Sequence, residues 1–428
     1  MRSGWVLAAA LVVAGCDDAM FDAGYGGEHD GGLEDEVDGG AAAWRARVDG
    51  LWAEDEVGVV FLGDSITEAG HYTAVVEDTL MARLPAVRFS FHNAGTSGDR
   101  LGWRVEERLE ADVLARGASL VVVQFGMNDG RYAPDAPGAL DAFREGMGSL
   151  LWRLSAPVVL VVSPTFPDPF GPVVSGRAVE PSRVFYPAVM RRFGEVARAV
   201  AGAAGVGFVD VLGAMEAATA RWRAVDASLT LVPDGIHPDE GGALVMADVM
   251  LEVLIGVVPD PVIRLGCEGD GAAGWGEVLA VPFRPVTVRH PARAAFARRH
   301  TRTVVQVDCL GAGDHVLWAD GERIGVASAA AWAAGVDVMD FGESRWGRRV
   351  ARWGALSEAR RALFAGTIRP AMTAAKRVAA GLAPGARAAV FADAVGGLAP
   401  ALAEAARLQG EIAALAGPDG VWFEVTGR

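Results

Sequence analysis

Cysteine is scarce in this chain. Cys16, Cys267 and Cys309 are the only three in 428 residues, and their wide spacing carries no metal-site signature. No glycine-rich stretch opens a helix in the manner of a Walker or dinucleotide fingerprint, which removes the common nucleotide-dependent classes. Positive charge is absent from residues 17–40, where Asp17, Asp18, Asp22, Glu28, Asp30, Glu34, Asp35, Glu36 and Asp38 stand without a Lys or Arg. That block accounts for most of the formal charge of -15, and the rest of the chain is near -6. Such a balance argues against nucleic acid as a partner. The apolar run from Gly4 to Val13 falls short of the roughly 20 residues a spanning helix needs, so a retained transmembrane helix is not expected.

What the N-terminus does carry is an export pattern. Arg2 supplies the positive start, the apolar run follows, and small residues lead to Cys16. Val13-Ala14-Gly15-Cys16 looks like a bacterial lipobox, in which the cysteine becomes the lipidated first residue of the mature chain. We therefore expect residues 1–16 to be a lipoprotein-type signal. Residues 17–50 then form an acidic, Gly-rich linker that buries too little apolar surface to fold. The expected address is the cell envelope, with the membrane reached only through the N-terminal lipid; plain secretion is the alternative. With Cys16 set aside, an exported chain favours a disulfide between Cys267 and Cys309, two buried thiols being the other reading.

With 51% hydrophobic and 22% charged residues, a sizeable core is available, and the length suggests two domains. From residue 57 to about 256, short apolar runs alternate with longer amphipathic stretches. The strands expected are 57–62, 87–92, 120–125, 158–162 and 207–211. The helices expected are 72–84, 101–115, 139–154, 183–203, 212–223 and 240–255. This alternation calls for an α/β fold, a parallel sheet covered on both faces, spanning residues 51–258. Ligands of such sheets bind beyond the carboxyl ends of the strands, where strand order reverses. After Pro259 the rhythm changes. We expect a smaller accessory α+β region over 259–428, β-rich to about 330 and helical beyond.

Four polar blocks fall at the strand ends or helix starts of the first half. Gly63-Asp64-Ser65 follows the first strand, Asn93-Ala94-Gly95-Thr96-Ser97-Gly98-Asp99 the second, and Gly126-Met127-Asn128-Asp129 the third. Asp234-Gly235-Ile236-His237 precedes the last helix. Acyl transfer needs a nucleophile, a base for its proton and donors for the oxyanion. A serine just past a strand, and an acid three residues before an imidazole, are parts of that kind. Singly each block has a bland reading: Asp234 as a helix cap, Asn128-Asp129-Gly130 as a turn, Ser65 as a cap of its own helix.

In this order the blocks resemble the SGNH, or GDSL-type, hydrolase superfamily over roughly residues 54–257. The resemblance implies a three-layer, flavodoxin-like fold and an ester hydrolase that uses no metal or organic cofactor. It implies Ser65 as nucleophile, His237 as base and Asp234 as the triad acid. It further assigns the oxyanion donors to the backbone N–H groups of Ser65 and Gly98 and the side-chain amide of Asn128. Glycine at 98 is expected because a Cβ there could block the approach of substrate to backbone. Asp64 and Asp129 are expected to shape turns and support these groups by hydrogen bonds. His71 and His92 lie nearby in sequence, where lone histidines are more often structural.

The substrate expected is a small-molecule or glycan ester, with short acyl groups on envelope or environmental carbohydrate favoured by the address. A lipase or lysophospholipase is one alternative. Another is a non-catalytic glycan-binding or assembly lipoprotein on the same fold, a reading that should lack the serine, histidine or asparagine that this chain retains.

Overall fold

The computed structural model describes residues 34–102, 105–134, 137–155, 157–174, 176, 184–256, 262–278, 303–417 and 419–427. The Cys16 motif lies outside them, so the lipidation expected there has no structural counterpart. Among the described residues no single helix is long and apolar enough to cross a membrane.

Five strands form the first sheet: β1 (Glu56–Gly63), β2 (Arg88–Gly95), β3 (Leu120–Gln124), β4 (Val158–Val162) and β5 (Gly207–Val209). All neighbours are parallel, in the order β2-β1-β3-β4-β5. β3 and β4 read Leu-Val-Val-Val-Gln and Val-Val-Leu-Val-Val and are buried at every position. A strand without alternation needs cover on both faces, which is what the helices supply. α3 (His71–Arg83), α8 (Val211–Val225) and α9 (Glu240–Ile255) pack as one group, and α5 (Ala139–Arg153) packs with α7 (Tyr186–Ala203); α4 (Val105–Asp112) and the short α6 (Gly171–Val174) lie between them in the chain. Strand order reverses between β1 and β3, and the register places Gly63 beside both Gly95 and Gln124. Three of the four polar blocks therefore leave the sheet side by side, within two strand spacings of about 4.8 Å each.

Two expectations need correction here. The linker does not run to residue 50: α1 covers Glu34–Leu51, and Trp44, Val48 and Leu51 are buried in the sheet's core. The Trp44 indole donates to the Val159 carbonyl at 2.8 Å, and its ring lies so close to Gly207 that a Cβ there would meet it at 2.3 Å. Three large apolar side chains at helical spacing outweigh the acidic composition that precedes them.

The second correction concerns the end of the chain. Past residue 260 the strands are β6 (Val262–Arg264), β7 (Gly266–Glu268), β8 (Gly271–Val278), β9 (Val304–Gln306), β10 (Asp314–Ala319), β11 (Glu322–Ser328) and β12 (Val336–Asp337). The helices Arg345–Leu363, Arg369–Ala379, Pro384–Gly397 and Ala399–Ala413 follow. The chain then returns as β13 (Asp419–Gly427), which lies at the centre of an antiparallel sheet ordered β11-β10-β13-β8-β7. The alternating Val421, Phe423 and Val425 fill that sheet's core beside Leu317 and Ala319, a period-2 signal that the helical stretch before it obscures. Cys267 on β7 is bonded to Cys309, with Cα atoms 6.1 Å apart across a separation of 42 residues. Closing such a loop constrains the unfolded chain by about 4 kcal/mol in the entropy account.

The C-terminal helices lie against the parallel-sheet half. Trp353 and Ile412 are buried in the same core as β1 to β5, and the Trp353 indole and Ser357 hydroxyl both donate to the Asp78 carboxylate at 2.9 Å. Arg360 reaches Glu77 and the Phe91 carbonyl; Arg369 holds Asp112 at 3.0 and 3.2 Å.

Candidate active site

Ser65 opens the short helix α2 (Ser65–Glu68) directly after β1. Asp64 caps that helix by accepting the Ile66 N–H at 2.9 Å, which fixes the turn that exposes the serine. The approach is tight: a Cβ on Gly63 would meet Thr67 Oγ1 at 2.1 Å, and one on Gly95 would meet the Glu68 nitrogen at 2.1 Å. Only glycine lets the helix start sit this close to two strand ends.

Ser65 Oγ lies 2.9 Å from His237 Nε2, and His237 Nδ1 lies 2.7 Å from Asp234 Oδ2. The second Asp234 oxygen accepts the N–H groups of Ile236 at 2.8 Å and His237 at 2.7 Å. Partial burial opposes ionisation of Asp234. The hydrogen bond from the His237 ring, then those from the two backbone N–H groups, outweigh it and hold the carboxyl well below the usual carboxylate range. The arrangement can pass a proton from hydroxyl to imidazole while the carboxylate stays charged. It is also open, since the His237 side chain keeps 47% of its exposure and Asp234 39%.

The other two blocks meet through Asn128. Its amide donates to Asp64 Oδ2 at 3.1 Å and to the Asp99 carbonyl at 3.3 Å, joining the turns after β1, β2 and β3. The Tyr132 hydroxyl donates to Asn128 Oδ1 at 3.1 Å, which leaves the amide nitrogen as the atom turned to Asp64 and Asp99. Tyr132 and Arg131 both hold left-handed backbone, φ 53°, a conformation uncommon for such residues. Asp129 accepts from Leu101 at 2.9 Å and Gly126 at 3.1 Å. Burial pushes the Asp64 and Asp129 carboxyls each up to about 7, against the backbone donors that oppose it.

Gly98 differs in its reason from the expectation. A Cβ there would find only Lys376 Nζ within 4 Å, at 3.9 Å, so space is not the constraint. The constraint is φ of 69°, which glycine adopts without cost. His92 is structural. It is buried, 2.8 Å from Asp112, and burial lowers its imidazole to about 4 although Asp112 opposes this.

Sequence reasoning missed the cations behind these turns. Buried Arg108 bonds Asp99 Oδ2 at 2.8 Å, Asp112 Oδ2 at 3.0 Å and the Ala94 carbonyl at 2.8 Å. Lys376, the single lysine of the chain, donates to the Ser97 carbonyl at 2.7 Å and lies 2.6 Å from Asp99 Oδ1. Nothing in the local sequence ties residue 376 to residue 98; the one available signal was its solitude among arginines.

Residues 61–244 match the family model of the GDSL-like lipases and acylhydrolases. This segment is a GDSL-type acylhydrolase domain. The domain is that of a carboxylic ester hydrolase, and its parallel sheet is the SGNH fold. No curated protein matches the chain. Among solved structures, the gut microbial diltiazem-metabolizing enzyme BT4096 aligns with a TM-score of 0.69 at 18% identity, covering 88% of this chain and 98% of its own. That likeness shows a shared fold, and its extent takes in the C-terminal region as well as the acylhydrolase domain. A lipase/acylhydrolase from Enterococcus faecalis aligns at TM-score 0.36 and 22% identity over 46% of this chain and 94% of its own. A two-domain esterase active on acetylated mannans aligns at TM-score 0.34 and 16% identity, over 69% and 81%.

Proposed function

We propose that Ser65 attacks the ester carbonyl of a short acyl group carried on a carbohydrate, forming an acyl-serine. His237 Nε2 takes the serine proton and returns it to the departing alcohol oxygen as the carbonyl–oxygen bond breaks. Asp234 orients the ring through Nδ1 and stabilises the imidazolium. The backbone N–H groups of Ser65 and Gly98 and the Asn128 amide receive the oxyanion, the last by exchanging its longer bond to the Asp99 carbonyl. A water activated by the same imidazole then releases the acid and frees the serine.

The observation that carries this reading is the 2.9 Å approach of Ser65 to His237 with Asp234 behind it. The choice of substrate rests on the openness of that triad. A base that retains nearly half its exposure leaves room for a bulky alcohol such as a sugar in a polymer, and offers little wall for a long acyl chain. The export pattern supports an address outside the cytoplasm, with Cys16 as a lipid anchor; the mass of the mature N-terminus tests it, and an unmodified Cys16 removes the anchor.

A panel of p-nitrophenyl esters from acetate to decanoate, run beside acetylated polysaccharide, tests the substrate. The expected result is acetate release from the polymer and a kcat/KM for acetate at least about tenfold above that for decanoate. Activity should fall in acid, as the imidazole base takes up a proton. A preference for decanoate would move the enzyme to the lipases.

A further inference from the structure

We propose that the outer face of the antiparallel sheet is a binding platform for a neutral polysaccharide chain. Alternation along β10, β13 and β8 sends Leu317, Ala319, Val421, Phe423, Val425 and Val278 into the core. The same alternation sends Trp318, Trp422 and Trp275 outward. Trp422 and Trp275 are direct cross-strand partners, and Trp318 pairs with Glu424, one step diagonal from Trp422. The band of indoles crosses three adjacent strands, about 10 Å at ordinary strand spacing.

The rings are held before any ligand arrives. A Cβ on Gly420 would come within 2.7 Å of Trp275 Cζ2, so this indole lies down across β13 where a glycine leaves room for it. The Trp422 N–H donates to Glu424 Oε1 at 3.2 Å, and the Trp318 N–H donates to Thr426 Oγ1 at 3.0 Å. Tied along their edges, the rings offer their faces, with Trp275 64% and Trp422 41% exposed. Large aromatics left in water on one sheet face mark a binding surface rather than packing.

The charges beside them select the occupant. The outward positions of the sheet carry Glu268 on β7, Glu277 on β8, Asp314 on β10 and Glu424 on β13 against Arg323 on β11. Carboxylates accept hydrogen bonds from hydroxyl groups and repel nucleic acid, anionic polymers and anionic lipid surfaces. A neutral sugar chain suits both features: its C–H faces cover indole rings, and its hydroxyls donate to the acids. The purpose of holding a polymer for the hydrolase rests on the preceding reading, whereas the platform itself does not.

The test uses the Ser65→Ala chain, so that binding is read without hydrolysis. Native gels cast with unacetylated xylan, galactomannan or hydroxyethylcellulose should retard it in at least one case. The Trp275→Ala/Trp422→Ala double variant should weaken that binding at least tenfold. Trp152→Ala, which removes a tryptophan 81% exposed on α5 of the acylhydrolase domain, should leave it unchanged. Should the double variant melt earlier than its parent, Trp275→Ala alone carries the test. Retardation by none of the three polymers, an unaffected double variant, or a double variant that changes oligomeric state overturns the proposal. None of these outcomes bears on ester hydrolysis by the wild type.

A second inference stands on separate contacts. We infer that Lys376 is a positioning residue for the oxyanion donors. Its ammonium joins the Ser97 carbonyl to Asp99 Oδ1, and so grips the residues on either side of Gly98; the Asp99 carbonyl in turn receives the Asn128 amide. In a chain that otherwise uses arginine for its fixed cations, the lone lysine stands where one compact ammonium meets two acceptors. Lys376→Met should lower kcat about 10- to 100-fold with KM within about threefold, measured well below its melting temperature. Affinity for a boronate transition-state analogue should fall in parallel. A kcat within twofold of wild type, or a loss carried by KM with analogue affinity intact, overturns it.

Discussion

The core of the parallel sheet and the seam beside it are held by different chemistry. The parallel sheet is an aliphatic core, with β3 and β4 buried end to end and helices on both faces. The seam between that sheet and the C-terminal helices is instead a row of cations set into acceptors. Arg360 meets Glu77, Arg361 the Ala69 carbonyl, Arg369 Asp112 and the Gly95 carbonyl, and Lys376 Ser97 and Asp99. Those acceptors lie on β2, on the turns after β1 and β2, and on the helices beside them. The C-terminal region is thereby part of what shapes the site, not an appendage carried beside it. Aliphatic burial is tolerant of exchange, whereas a buried ion pair fixes one arrangement and is costly when broken.

The comparison breaks most severely if the halves are separated. A chain ending at residue 258 would expose the β2 edge, take Trp353 and Ser357 from Asp78 and Arg369 from Asp112, and remove Trp353 and Ile412 from the core. It should be insoluble or inactive by more than about a thousandfold, judged by ester hydrolysis of the purified fragment. A soluble, fully active fragment would show that the seam is decoration.

Next in size is Arg369→Met. Asp112 is wholly buried, and burial alone would raise its carboxyl; Arg369, then His92 and Arg108, hold it well below the usual range. Removing one cation leaves Arg108 and His92 in place, so the loss should sit at the low end for a broken buried pair, about 3 kcal/mol in denaturant unfolding. A loss below about 1 kcal/mol would mean that the seam's pairs are replaceable.

These pairings also mark the limit of what the sequence discloses. The five strands of the first sheet and the four blocks at their ends were legible, because period and position carry them: Val158–Val162 and Glu240–Ile255 fall where their apolar patterns place them. Ser65, His237 and Asp234 converge because each stands at a fixed place on that frame. Residues 34–50 fold as helix where a linker is expected, because the spacing of Trp44, Val48 and Leu51 outweighs the acidic composition. Strand β13 is hidden by the helical pattern of residues 345–413 before it. Lys376 and Arg369 could not be read at all, since a cation 257 or 279 residues from its partner leaves no local trace.

The smallest expected effect separates site from seam by pH. Asp64 and Asp129 are buried, and that burial raises each to about 7 against the donors and cations that oppose it. A carboxyl with a raised folded-state value stabilises the fold fully below its unfolded value near 4, and that contribution is lost as pH rises through about 7. The Asp112 cluster has the opposite sign: its contribution is complete above about pH 4 and is lost only in acid. The Ser65→Ala chain should therefore melt a few degrees lower at pH 8.5 than at pH 5.5. A melting temperature that rises over this interval would place both acids in the ionised form and reverse the assignment.

The central claim is that one hydroxyl, brought to one imidazole across 172 residues, does the chemistry. Hydrolysis of p-nitrophenyl acetate by wild type and Ser65→Ala, matched for folding by their melts, tests it most directly. The account predicts a fall in kcat of at least about 10⁴-fold. Rates within tenfold of each other would contradict it.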